Sequence, residues 1–159
     1  MSREVSKTHC RILALEAVLK FFNKPNNLVG NIKSTSALIA YLEKNNLKCI
    51  VFCPFFFIIS PRLWGLFWKH RVSANFFLEI SNTHRRKAII HFLSAHQLYD
   101  IEDLWTHYVC EFFADTYIYF DPYLDQLAID YPTKKNYVAP SSMELLYNKS
   151  IKILIFEPQ

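Results

Sequence analysis

The sequence predicts a single α+β domain in which helices pack on an antiparallel sheet. Three observations carry that expectation. Two dense apolar segments of helical character occupy the first third of the 159 residues. Short apolar runs bounded by turn residues dominate from residue 75 onward. No repeat, low-complexity run or linker divides the chain, and helices followed by strands suit an antiparallel sheet. A globule of this length buries roughly 70% of its unfolded surface and folds without metal or disulfide staples, so residues 1–159 read as one domain.

The first helix is expected from Cys10, with Thr8 as its N-cap. It carries Ile12, Leu13, Leu15, Ala17, Val18, Leu19, Phe21 and Phe22 and stops before Asn23-Lys24-Pro25. Its near-continuous apolarity predicts burial on most sides. A second helix over 34–44 presents Leu38, Ile39, Tyr41 and Leu42 inward and ends at Asn45-Asn46. A buried strand follows over Lys48–Phe52. Residues 49–68 form the most hydrophobic stretch, interrupted mainly by Pro54, Ser60, Pro61 and Arg62. A membrane span needs about 20 predominantly apolar residues. Two prolines and an arginine favour instead a strand, a loop and a short amphipathic helix over 61–71, whose Trp64, Phe67 and Trp68 line a cleft or enter the core. Further strands are expected over 75–80, 87–93, 107–113, 117–121 and Ile151–Phe156, with a short helix over 141–147 before the last.

Composition excludes several classes. Hydrophobic residues make up 52% and charged residues 20%, which rules out a disordered charged tail. The net charge of +4 is scattered and too small to argue for nucleic acid. Glycine occurs only at Gly30 and Gly65, too few for a phosphate-cradling loop or a dinucleotide fingerprint. The segment Met1-Ser-Arg-Glu-Val-Ser-Lys-Thr-His has no apolar h-region, so no secretory signal is visible. A cytoplasmic location is expected, with Cys10, Cys49, Cys53 and Cys110 as reduced thiols. Cys49 and Cys53 are spaced loosely like zinc ligands, but no second pair follows; no metal or cofactor is expected.

Two features point to chemistry. Cys10 opens a helix, where backbone N–H groups stabilise a thiolate, and His9 and Arg11 flank it with positive charge; such settings lower a thiol pKa. The segment from His107 to Pro122 reads as a β-hairpin turning near residues 114–116. A pairing centred on Ala114 sets His107 directly opposite Asp121, and any odd-length loop keeps both on one sheet face. A carboxylate beside an imidazole fixes its tautomer and stabilises the imidazolium, the orienting role in a nucleophile–base–acid set. The competing readings are a small buried cysteine and a strand-end histidine followed by a turn.

Taken in order, a cysteine on the first helix, a histidine opening a strand and Asp-Pro closing the next resemble the papain-like superfamily. Within it they resemble the bacteriocin-processing (double-glycine leader) peptidase-like group. Cys10-Arg-Ile-Leu-Ala-Leu-Glu-Ala-Val-Leu-Lys-Phe-Phe resembles that group's nucleophile helix. Thr35-Ser-Ala-Leu-Ile-Ala-Tyr-Leu-Glu-Lys and the residues through Val51 resemble its second helix and following strand. His107-Tyr-Val resembles its histidine strand, and Tyr119-Phe-Asp-Pro its aspartate strand. The group carries glutamine six positions before the cysteine, donating to the oxyanion; here Glu4 stands there, and an ionised carboxylate repels an oxyanion. Its Asp-Cys-Gly is here His9-Cys10-Arg11. His-Cys at a helix start is also similar to the amino-terminal region of butirosin-type aminoglycoside acyltransferases, without the glycines that follow there.

The resemblance implies a papain-like α+β fold, the helix bearing Cys10 packed on an antiparallel sheet bearing His107 and Asp121. It implies acyl transfer through a thioester, with Cys10 as nucleophile, His107 as general base and then acid, and Asp121 as orienter. The Cys10 N–H adds to an oxyanion hole, and His9, Trp64 and Trp68 are candidate cleft residues. The partner is then a peptide, protein or acyl-donor substrate, with no nucleic acid. The alternatives are a catalytically degenerate papain-fold binding protein, prompted by Glu4 and Arg11, and a membrane-associated interaction module built on 49–68.

Overall fold

A computed structural model describes residues 7–26, 32, 34–53, 69–94, 106–122 and 150–158; for residues 7–9, 93–94 and 106–107 the description covers the backbone alone. The chain is α+β. Helices α1 (Lys7–Phe21) and α2 (Thr35–Lys44) precede strand β1 (Lys48–Phe52), and α3 (Ala74–Thr83) leads into β2 (Lys87–Ser94), β3 (Thr106–Phe113), β4 (Tyr117–Phe120) and β5 (Ile151–Phe156). All five strands join one antiparallel sheet in the order β1-β5-β2-β3-β4.

Asparagine closes both leading helices for one reason. Asn23 and Asn46 adopt φ of 56° and 63°. In each case the next amide reaches back five residues, Lys24 N to Leu19 O at 2.8 Å and Leu47 N to Leu42 O at 3.1 Å. That pattern is a Schellman cap, and asparagine tolerates its left-handed residue better than other non-glycine side chains. At its start α2 is capped by Ser34, whose hydroxyl accepts from the Ala37 amide at 3.0 Å. The first helix begins at Lys7, so Thr8 lies inside it rather than at its cap.

The sheet has two unlike faces. One packs on α1 and α2: Ala14, Leu15, Val18 and Leu19 meet Ile90, Phe92, Tyr108, Cys110, Phe112, Ile153 and Ile155 in the main core. The near-continuous apolarity of α1 is explained by this position, since Lys20 alone among its described side chains is exposed. The other face packs partly on α3, through Phe77 against Ile89, Leu154 and Phe156. Strand β5 is buried at all six residues because both its edges and both its faces are covered. A segment ending in Arg71 and Val72 bonds along β1, through Val51 N to His70 O at 2.8 Å and Val72 N to Val51 O at 2.9 Å, and so covers an otherwise exposed edge.

Three expectations are corrected. Residues 75–80 are helix rather than strand: Ser73 caps α3 by accepting from the Phe76 amide at 3.2 Å, and Phe77 and Ser81, one helical turn apart, turn inward. The helix expected from 61 to about Arg71 is helical at Lys69 and has ended by Arg71, which bridges to Val51; its residues 61–68 and the helix over 141–147 lie outside the described residues. The hairpin pairs Cys110 with Phe120 and Phe113 with Tyr117, so it is centred on Asp115 rather than Ala114. Its loop, Ala114 to Thr116, is still odd, so the same-face parity of positions 107 and 121 is kept while Asp121 falls in register with Val109. No helix among the described residues is long and apolar enough to cross a membrane.

Leu15, fully buried between α1 and the sheet, and Leu78, 57% exposed on α3, bracket the packing energetics. Leu15→Ala should lower the free energy of unfolding by about 2–5 kcal/mol, through lost transfer energy and a residual cavity. Leu78→Ala should stay within about 0.5 kcal/mol. Urea midpoints at constant slope measure both.

Candidate functional site

The apolar packing of α1 onto β3 decides where the predicted site residues fall. Cys110 Sγ approaches Ala14 O at 3.8 Å, which seats the middle of the helix on the middle of the strand. One turn toward the N-terminus, Arg11 Nε donates to the Tyr108 hydroxyl at 3.1 Å, and its guanidinium lies 5.4 Å from that ring's centroid. Thr35 at the start of α2 joins the same hydroxyl at 3.0 Å. The residue after Cys10 is thereby tied to the residue after His107, and the first turn of α1 is held at the beginning of β3.

Cys10 and Asp121 are both fully buried. Burial pushes the Cys10 thiol up to about 12 from 9.0, and the nearby Asp121 charge adds to the rise. This reverses the expectation of a lowered thiol pKa, for two reasons. The helix starts three residues before Cys10, so the thiol sits a full turn in, where the dipole has faded. Desolvation also favours the neutral thiol. Arg11, expected as a cationic neighbour, spends its guanidinium on Tyr108. Exposure does not single out Cys10 either, because all four cysteines are buried.

His107 is the second residue of β3, and its Cα is in register with Leu93 of β2. Its side chain and that of His9 lie outside the described residues, as do Glu4, Trp64 and Trp68. Tyr108, Cys110 and Phe112 belong to the α1 side. Strict alternation therefore groups position 107 with Val109 and Glu111, in the other row, and a meeting with Cys10 requires the first residues of β3 to twist out of the pleat. Asp121 lies just past β4, where the pleat no longer dictates direction, and its charge reaches Cys10.

A second polar cluster was not anticipated. On the sheet face away from α1, His91 of β2 contacts Glu111 of β3 (Nε2 to Oε1, 2.5 Å) and Ser150 (Nδ1 to Oγ, 2.7 Å). The Tyr117 hydroxyl donates to the other Glu111 oxygen at 2.5 Å. His91, Glu111 and Ser150 are all fully buried. An ionised Glu111 can only accept, so His91 Nε2 carries a proton, and a neutral imidazole then accepts from Ser150 at Nδ1. Lys152 of β5 is in register with His91, and its Nζ donates to Ser150 O at 3.2 Å. The available signal was a histidine and a glutamate each embedded in an apolar strand, positions that demand a partner when buried.

No protein-family model, curated protein or solved structure matches the chain.

The raised thiol pKa has a measurable consequence. Folding keeps Cys10 protonated while the unfolded thiol ionises near 9.0, so the associated stability is intact below about pH 9 and declines as pH rises toward 12. Burial raises Cys49 and Cys110 in the same direction. Each thiol contributes a slope of about 1.4 kcal/mol per pH unit in that window. Urea unfolding between pH 8 and 11 should give a shallower alkaline decline for Cys10→Ala than for the wild type; parallel curves would show an ordinary thiol.

Proposed function

We propose that the domain is a papain-like cysteine acyl-transfer enzyme with Cys10 as nucleophile, His107 as general base and then acid, and Asp121 as orienter. The observation that carries this reading is the Arg11–Tyr108 bond, which holds the neighbours of Cys10 and His107 together, with the Asp121 charge within reach of the thiol. A carboxylate near a desolvated thiol disfavours a bare thiolate, but an imidazolium between them compensates both. The thiol thus stays neutral until its proton has an imidazole to go to.

In this mechanism His107 takes the Sγ proton as sulfur attacks the acyl carbon. The tetrahedral oxyanion collapses, the leaving amine takes the proton from the imidazolium, and a thioester remains on Cys10. Water or an amine, deprotonated by His107, then attacks the thioester and releases the thiol. Asp121 stabilises the imidazolium in both halves. Peptide or isopeptide hydrolysis is the leading reaction; deamidation and transfer to a small amine use the same thioester. The complete burial of Cys10 favours a second reading, a catalytically degenerate papain-fold binding protein.

Hydrolysis of p-nitrophenyl acetate, with mass spectrometry of the acylated protein, separates the two. The enzyme reading expects an acyl adduct on Cys10 and at least about a hundredfold loss of turnover in Cys10→Ala and in His107→Ala. It expects Glu4→Gln to raise turnover, because a neutral amide donates where a carboxylate repels. Equal turnover in wild type and Cys10→Ala, with no adduct, establishes the binding protein instead.

A further inference from the structure

Between α3 and the sheet face away from α1 lies a cavity of about 360 Å³, within the range of small-molecule sites. Phe52, Phe77, Ile89 and Phe113 give it largely apolar walls, and Lys152 of β5 also lines it. We propose that Lys152 is a nucleophilic amine that captures a small apolar aldehyde in this cavity as an imine. The proposal does not depend on the chemistry at Cys10, which packs on the opposite face.

Placement argues first. Phe52, Lys152 and His91 are cross-strand partners in one row across β1, β5 and β2, and all three line the cavity. Lys152 is only 6% exposed, its Nζ lies 5.8 Å from the Phe52 ring centroid, and it donates to Ser150 O at 3.2 Å. An ammonium forms hydrogen bonds through its N–H groups alone, and its lone pair appears when one proton leaves. Such bonds hold the amine in place without blocking attack. The cavity also reaches the surface, because Ala74 and Leu78 of α3 line it and are exposed, Leu78 at 57%. A buried ammonium in a central strand is expensive, and an apolar replacement of similar size is often more stable; a reactive amine gives this lysine a use.

The surroundings supply the reactivity. Burial lowers the Lys152 ammonium to about 8 from 10.5, against the charges of Glu111 and Cys53, which raise it. Its neutral fraction at pH 7 is thereby about a hundredfold larger than that of an ordinary lysine, and an amine desolvated in an apolar pocket is an activated nucleophile. Besides Glu111 and Cys53, the titratable groups on this side are Lys87 and His91 of β2 and Tyr117 of β4; the lining residues of α3 add none. Lys87 is less suited. It is half-buried, bonds Ser81 O, and stands four residues from His91 along β2, about 13 Å from the row of Lys152.

In the capture step the amine nitrogen attacks the carbonyl carbon, the C=O π pair moves to oxygen, and the carbinolamine oxygen leaves as water. Ammonium and aldehyde become iminium and water, so no further proton, electron or co-reactant is needed. The iminium keeps the positive charge, and Glu111, which favours the ammonium, favours the product as well. The phenylalanine walls select an apolar body for the aldehyde.

Incubation of the full chain at neutral pH with hexanal and sodium cyanoborohydride, followed by peptide mass mapping, tests the proposal. Lys152 should be alkylated at least tenfold faster than the exposed Lys44, with a rate that saturates in hexanal. Glyceraldehyde, small and polar, should show no such preference. Lys152→Met should lose the fast site and leave Lys44 labelling unchanged. Should that variant not fold, 1-hexanol added to the wild type is expected to slow labelling of Lys152 and not of Lys44. Lys152 labelled no faster than Lys44, an equal preference with glyceraldehyde, or labelling of Lys152 indifferent to hexanol would each overturn the proposal.

Discussion

Strand β5 lies between β1 and β2, and the sheet is continuous only because of it. Its six residues hydrogen-bond to Lys48–Phe52 on one side and to β2 on the other. Without that insertion β1 loses its antiparallel partner, and the surface under α2 and α3 divides into two separate pieces. The pairing also explains the composition of the strand. Ile151, Ile153 and Ile155 enter the core beneath the first two helices, whereas Leu154 and Phe156 meet Phe77 of α3. Lys152 is the exception in an otherwise apolar run, and it falls beside His91. A strand of high sequence separation thus supplies both the mechanical centre of the sheet and a charged group of the second polar cluster; such non-local pairing carries a loop-closure cost before it rewards.

Among the described residues on the α1 side, side-chain hydrogen bonding gathers at the margin of the core. Arg11, Thr35 and Tyr108 form a small hydrogen-bonded knot that joins both leading helices to the start of β3. Its phenol serves two partners and stacks on Phe92 at 5.5 Å, so it has an apolar body and a satisfied tip. Cys10, next to this knot, is a thiol in a dry environment near a carboxylate, and both circumstances keep its proton in place. The enzyme reading therefore needs an imidazole, rather than the helix dipole, to make the thiolate.

The opposite face follows different rules. There Glu111, His91 and Ser150 are removed from water and satisfy one another, and Tyr117 completes the carboxylate. A buried network of this kind is tolerable only when its members are paired, since each orphaned group costs as much as a lost core contact or more. Its proximity to an apolar cavity with two ammonium groups separates this face in character from the helix-covered one. The two polar clusters lie on different sides of one sheet and have no described residue in common.

Much of the helical scaffold was legible from local signals. The asparagines at 23 and 46 stop their helices because the left-handed conformation they tolerate is what the Schellman cap requires, and Ser34 announces α2 through its own hydroxyl. The strands at Lys48–Phe52 and Ile151–Phe156 showed as short apolar runs between turn residues. The segment over 75–80 was misread because six apolar-rich residues suit either period; the choice was made by Ser73 capping and by Phe77 and Ser81 finding the sheet one turn apart. For the site, the sequence by itself determined only that positions 107 and 121 share a face if the hairpin loop is odd, and the register centred on Asp115 made it so. Tertiary structure alone decided the protonation of Cys10, because desolvation and the reach of Asp121 depend on what α1 is packed against. It alone also brought together His91, Glu111, Ser150 and Lys152, since the order and register of three strands distant in sequence are set by how both sheet faces are covered, and no local pattern encodes that.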